Sequence, residues 1–212
     1  MALFYQHNIN EHFKLATWRI EEPEAFFTEH VPVKQDVTHP YKRLQHLAGR
    51  FLLRELYEDF PLEEILIADT RKPFLKNEKY HFSISHSGYF AAAIASSVHR
   101  VGVDVELVTP RIANITQKFL SEEEHNFLDS YKEMEHIYFD LATILWCAKE
   151  AVFKWYGDGQ VDFRQHMQLQ LPILFEPSEW MTLPFLFRKG IARPLVVHAR
   201  LFESHALAYV VS

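Results

Sequence analysis

The sequence predicts an α+β protein, and three observations carry that expectation. Two long stretches, Leu44 to Tyr57 and Ile137 to Tyr156, repeat apolar residues at helical spacing. Shorter stretches between and after them alternate, or stay apolar, over strand lengths. A faint internal echo adds a third point: LAGRFLLRELY (Leu47 to Tyr57) is similar to CAKEAVFKWY (Cys147 to Tyr156). In this echo Arg50 parallels Glu150 and Arg54 parallels Lys154, and each helix is later followed by Ser-His, at Ser85-His86 and Ser204-His205. Two similar α+β halves are the architecture this suggests, and with no Pro/Ser-rich linker anywhere the halves are expected to pack together.

In chain order, Leu44, Leu47, Ala48, Phe51 and Leu52 share one side of the first helix, while Arg43, Arg50 and Arg54 lie elsewhere on it. Pro40 suits a helix start, and Pro61 closes the segment that follows. Glu64 to Asp69 reads as a strand, followed by a loop with Arg71, Lys72 and Pro73. His81 to His86 alternates, with Phe82, Ile84 and His86 on one face and Ser83 and Ser85 on the other. After the Ser87-Gly88 turn, Phe90 to Ala95 resumes as an apolar strand. Val101 to Val108 puts Val101, Val103, Val105 and Leu107 on its buried face and Gly102, Asp104 and Glu106 on the opposite, solvent side. Ser121 to Tyr131 and Ile137 to Tyr156 read as helices, the second ending at Gly157-Asp158-Gly159. Short strands return at Met167 to Leu171, Leu183 to Arg188, Leu195 to Phe202 and Ala206 to Val211.

Composition narrows the function classes. The 212 residues are 48% hydrophobic and 24% charged with net charge −6, which suits a globular protein and argues against a general nucleic-acid binder. Six glycines form neither GxGxxG nor GxxxxGK[ST], so dinucleotide and P-loop sites are excluded. The longest apolar runs fall far short of the roughly 20 residues of a membrane span. The start, MALFYQHNINEHFK, lacks the basic-then-apolar pattern of a signal peptide. The single Cys147, expected as a buried thiol, fits a reducing cytoplasm.

Several residues could carry chemistry. Asp104-x-Glu106 sets two carboxylates on one side of a strand, where repulsion favours a cation, and all-oxygen ligation favours Mg²⁺. By itself such a pair reads first as the solvated outer face of an edge strand. Trp146, Glu150 and Lys154 share a helix face at i, i+4, i+8, either as a third ligand beside phosphate-holding lysines or as an ordinary Glu-Lys pair. Ser85-His86-Ser87-Gly88 could form a phosphate nest or a polar strand end. Glu122-x-x-His125 and Glu133-x-x-His136 lie too close together for a di-iron bundle.

Taken in order, AGRFLLREL, the Lys72-Pro73 loop, FSISHSG, VGVDVE and WCAKEAVFK closely resemble the 4′-phosphopantetheinyl transferases of the Sfp type. The resemblance implies a cytoplasmic, monomeric enzyme with an N-terminal, coenzyme A-binding half (residues 1–103) and a C-terminal, Mg²⁺-binding and catalytic half (residues 104–212), the active site lying between them. It implies transfer of the phosphopantetheine arm of coenzyme A to a carrier-protein serine, with release of adenosine 3′,5′-bisphosphate. Asp104, Glu106 and Glu150 match the family's Mg²⁺ ligands. Arg43, Arg50, Lys72, Ser85 and His86 match positions holding the nucleotide and its phosphates, and Lys149 and Lys154 match lysines near the pyrophosphate. Lys154 would stabilise the transferred phosphoryl group and Glu150 would accept the serine proton, with a Mg²⁺-bound water the competing base. The carrier would be an acidic helical domain meeting Ile115 to Leu120, where Lys118 and Phe119 stand. Arg71 departs from the pattern, since the family usually has glycine there, and the C-terminal third matches by strand pattern only. A coenzyme A or carrier-binding module without activity, and a Mg²⁺-dependent phosphohydrolase, are the rival readings.

Overall fold

The computed structural model describes residues 3–10, 12–32, 37–176 and 179–212; residues 1, 2 and 11 of the N-terminal stretch read above lie outside them. From the N-terminus, β1 (Leu3–Asn10) and β2 (Phe13–Arg19) form a hairpin, followed by the short α1 (Glu24–Thr28) and the long α2 (Pro40–Leu56). None of β1, β2 or α1 was expected from the sequence. A 3-10 turn at Leu62–Glu64 replaces the start of the expected strand and leaves β3 (Ile65–Ile67), which pairs with β4 (Pro73–Leu75). Then come β5 (His81–Ser87), β6 (Phe90–Ser96) and β7 (Val101–Leu107), which spans the expected division between the halves. The helices α3 (Thr116–Phe119), α4 (Glu122–Asp129), α5 (Glu135–Tyr156) and α6 (Phe163–His166) lead into β8 (Met167–Leu169), β9 (Met181–Phe187), β10 (Arg193–Phe202) and β11 (His205–Val211). No helix among the described residues is long and apolar enough to cross a membrane.

Antiparallel pairing assembles two larger sheets, ordered β1-β2-β6-β5 and β7-β11-β10-β9-β8. Period-2 alternation sorts their side chains into three cores. Trp18, Ala91, Ala93, Ala95 and Phe82 meet α2 through Leu47, Phe51 and Leu52. Ala206, Ala208 and Val210 meet α5 through Leu145, Ala148 and Val152. The other faces meet each other, with Leu15, Phe90 and Ile94 against Val101, Val103, Val105 and Leu207. The molecule is therefore layered helix, sheet, sheet, helix, an α+β fold.

At one side of this sandwich the edge strands β5 and β7 lie together, joined by serines. Ser83 Oγ accepts from Val103 N (3.2 Å), and Ser87 Oγ accepts from Leu107 N (3.0 Å). Between them, Ser85 Oγ donates to Asp104 Oδ1 (2.7 Å). The Ser83 and Ser87 hydroxyls thus satisfy N–H groups on the edge of β7.

The helix α5 has a second polar anchor. Lys149 is fully buried and donates to Glu124 Oε2 (2.6 Å), Phe119 O (2.8 Å) and Phe163 O (3.1 Å), which uses all three of its hydrogens. Glu124 also caps α4, accepting from Ser121 N (2.7 Å), and takes Leu169 N (2.9 Å) on its other oxygen. One ion pair thus fixes α3, α4, α6 and β8 to α5.

Two stability predictions follow from these joins. Lys149→Met should cost about 3–5 kcal/mol in chemical denaturation, because Glu124 stays buried without its counter-charge, and Glu124→Gln added to it should recover a large part. Ser83→Ala should cost about 1–3 kcal/mol, since the Val103 N–H loses its acceptor inside the seam. Wild-type urea midpoints in either variant would contradict the corresponding join.

Candidate active site

Beside the serine join opens a cleft of about 580 Å³. The helix α2 contributes His46 and Arg50, β5 contributes Ser85 and His86, and the β3–β4 hairpin contributes Ile67, Arg71 and Pro73. From the second layer come Asp104 and Glu106 on β7, and Trp146, Glu150 and Lys154 on α5. The i, i+4, i+8 spacing read from the sequence therefore does set Trp146, Glu150 and Lys154 on one face, turned toward the carboxylates of β7.

Asp104 lies deepest, at 2% exposure. Its Oδ1 accepts from Lys154 Nζ (2.6 Å) and from Ser85 Oγ, and Ser85 in turn accepts from Lys154 Nζ (2.8 Å). Its Oδ2 is buried with no hydrogen-bond partner among the described residues. This corrects the expectation that the strand turns Asp104 to solvent. The reason is α5, which crosses that face so closely that a Cβ on Gly102 would stand 2.0 Å from the Ala151 carbonyl oxygen. Only glycine permits that approach.

Glu106 is half-buried and holds Trp146 Nε1 on Oε1 and Ser87 Oγ on Oε2, both at 3.3 Å. Burial and the neighbouring Asp104 push Glu106 up to about 7. Burial, Asp104 and Glu106 likewise push Glu150 up to about 7, against the pull of Lys154. Lys154 goes the other way: burial disfavours its ammonium, but Asp104 and Glu150 outweigh that and hold it above the ordinary lysine range. Three carboxylates around one ammonium leave a site short of positive charge, which is the electrostatic condition for a cation. Among the described residues no three metal-binding side chains close on a common point. The free oxygen of Asp104 and the all-oxygen donor set nonetheless suit a hard divalent ion.

On the opposite wall, Arg50 is buried and its Nη1 pairs with His46 Nε2. Burial, then the charges of Arg50 and His86, pull His46 down to about 4, so it is the neutral acceptor of that pair. His46 was not singled out in the sequence, although its spacing one helical turn before Arg50 was visible. His86 is exposed on the rim. Lys72 lies in an adjoining cavity of about 220 Å³ that shares Arg71, Pro73, Ile84, Glu150 and Lys154 with the cleft. Its Nζ donates to Trp155 O (3.3 Å), packed against Gly157 at the end of α5, and burial beside Arg100 lowers it to about 8.

Two expected residues are not brought to this place. Lys149 points away from the cleft into its pair with Glu124, because consecutive helical residues diverge by about 100°. Arg43 sits near the start of α2 and pairs through Nε with Glu24 Oε1 (2.9 Å), away from the cleft lining. In the segment proposed to meet a carrier, Phe119 and Leu120 are buried, and Lys118 is exposed. Cys147 is buried, its thiol donating to Ala206 O (3.4 Å), and burial first of all pushes it well above the usual thiol range.

Comparison with known proteins gives a concordant result. The chain is 31% identical over 139 residues to the 4′-phosphopantetheinyl transferase AcpT of Escherichia coli O157:H7, a match covering 61% of this chain and 69% of that protein. It is 30% identical over 193 residues to the 4′-phosphopantetheinyl transferase gsp of Aneurinibacillus migulanus, covering 87% and 73%. With the 4′-phosphopantetheinyl transferase psf-1 of Bacillus pumilus it shares 31% over 120 residues, which is 53% of this chain and 50% of that one. Residues 100–210 match the family model of the 4′-phosphopantetheinyl transferase superfamily, a span that holds Asp104, Glu106, Glu150 and Lys154. This chain belongs to the 4′-phosphopantetheinyl transferase superfamily.

Proposed function

We propose that this chain transfers the 4′-phosphopantetheine group of coenzyme A to a serine of an apo acyl or peptidyl carrier protein, with Mg²⁺, releasing adenosine 3′,5′-bisphosphate. The observation that carries the reading is the buried Asp104 carboxylate, which holds Lys154 on one oxygen and leaves the other without a partner among the described residues. A buried, unpaired carboxylate oxygen is costly, and a divalent cation is the ligand that would satisfy it.

In this reading Asp104, Glu106 and Glu150 hold the Mg²⁺. When bound, the ion neutralises pyrophosphate charge and acts as a Lewis acid at the phosphoanhydride. Arg50, Lys72 and His86, with Ser85, receive the nucleotide and its phosphates; Arg43 and Lys149, committed elsewhere, do not. Lys154 presents its ammonium to the transferred phosphoryl group. The serine oxygen forms a bond to phosphorus as the bridging P–O bond breaks, and the electron pair leaves with adenosine 3′,5′-bisphosphate. Glu150 takes the serine proton, one turn of α5 from Lys154. The half containing β1 to β6 supplies the nucleotide-binding groups, and the half from β7 onward supplies the metal ligands and Lys154. The enzyme is proposed to act as a monomer. The single buried thiol suits the cytoplasm. The carrier is proposed to be acidic, with Lys118 as a basic contact.

The test is intact-mass spectrometry of an apo acyl carrier protein incubated with this protein, coenzyme A and Mg²⁺. One phosphopantetheine should be gained, and the gain should vanish with EDTA or when the carrier serine is changed to alanine. Asp104→Asn should keep the fold, because its side-chain oxygen still accepts from Lys154, and slow transfer by about 10³-fold or more. A carrier left unmodified by the wild type, or an Asp104→Asn enzyme near wild-type rate, would overturn the assignment.

A further inference from the structure

The loop that closes the β3–β4 hairpin carries a residue that stability alone would not select. Ala68 N donates to Lys72 O (3.0 Å) and Arg71 N donates to Ala68 O (2.8 Å), which leaves Asp69, Thr70 and Arg71 as a three-residue loop. Loops of this kind put their last residue in the left-handed region, which glycine occupies without a Cβ clash. Here that residue is arginine, at φ 65. Glu78, Gln160, Glu203 and Ser204 also adopt positive φ, but of these five residues Arg71 is the one that lines the Asp104 cleft. Strain kept at a cleft, where a glycine would relieve it, points to a use for the side chain.

The state of the side chain agrees. Arg71 is exposed, and its guanidinium makes no hydrogen bond or ion pair with another described residue. The other full cations of the cleft are already engaged, Arg50 with His46 and Lys154 with Asp104. Arg71 also lines both the main cleft and the adjoining cavity, so its guanidinium stands where the two meet. Both cavities run inward to Glu150 and Lys154, a route for a small extended anion rather than for a protein surface. A planar guanidinium fork pairs with two oxygens of a phosphate through parallel N–H bonds, a fixed geometry that an ammonium lacks.

We propose that Arg71 is a substrate-binding residue that grips a phosphate group of coenzyme A, its strained backbone being the consequence of that use. The inference rests on the coenzyme A reading above. The test is calorimetric titration of coenzyme A and of dephospho-coenzyme A into the wild type, Arg71→Gly and Arg71→Lys, with a melting curve for each protein. Arg71→Gly should lose about tenfold or more in coenzyme A affinity while melting at or above the wild type, and Arg71→Lys should fall between. A loss shared by dephospho-coenzyme A supports a contact to the pyrophosphate, and a loss confined to coenzyme A supports a contact to the 3′-phosphate. Unchanged coenzyme A affinity in Arg71→Gly overturns the proposal, as does a lowered melting temperature accompanying the loss. So does unchanged affinity with a raised KM for the carrier, which would move Arg71 to the carrier contact. A wild type that binds no coenzyme A would overturn the transferase reading itself, and this assignment with it.

Discussion

Three serines on the outer strand of one sheet hold the outer strand of the other, and the cleft exists because of that join. Ser83, Ser85 and Ser87 replace a backbone ladder between β5 and β7, so the two sheets meet without merging into one. A continuous ladder would have brought the strands into one plane and closed the gap beside Asp104. Hydroxyls satisfy the edge N–H groups while leaving side chains on both strands free to turn toward a ligand. The middle serine does both tasks, touching the deepest carboxylate and the lysine that neutralises it.

The second constraint is how α5 sits on β7. Gly102 lets the helix backbone approach within contact of the strand, which brings Glu150 and Lys154 to the level of Asp104. On its other face the same helix is held by Lys149 and Glu124, a buried pair whose partners are carbonyls at the end of α3 and the start of α6 and a helix cap. Adjacent residues of one helix thus take opposite duties: Lys149 fixes where the helix lies, and Glu150 enters the cleft. A shift of α5 would disturb both, so the stability of the second layer and the geometry of the site are set by one element.

Much of this was legible in the sequence, and the parts that were not share a physical cause. Helical spacing located α2 and α5 and put Trp146, Glu150 and Lys154 on a common face; period-2 alternation located β5 and β7 and set Asp104 beside Glu106, and a short apolar run located β6. What alternation could not tell was which layer would cover that face. A strand with valines on one side reads as half-exposed, yet β7 is covered on both sides, so Asp104 is buried. Likewise, two lysines within one helical motif look equivalent until packing separates them. The hairpin β1–β2 carried no alternation strong enough to stand out, and α1 spans only 5 residues. The partners Arg50–His46 and Arg43–Glu24 needed the fold, since charge alone does not show which arginine faces the cleft.

The electrostatics of the cleft follow from this layering rather than from net charge. Each carboxylate there is individually a poor choice for a buried position, and two of them are pushed toward neutral pH by burial and by one another. Lys154 alone cannot balance three, and the buried guanidinium of Arg50 is turned to a neutral imidazole on the far wall. The layers therefore hold apart an acidic side contributed by β7 and α5 and a cationic side contributed by α2 and the β3–β4 hairpin. An anion with a phosphate chain, entering between them, meets positive groups on one wall and needs a cation to lie against the other. A bare polyphosphate would be repelled by Glu106 and Glu150, and a bare divalent ion would leave the arginine wall unused. The two-sided distribution of charge fits the pair together better than either ligand alone.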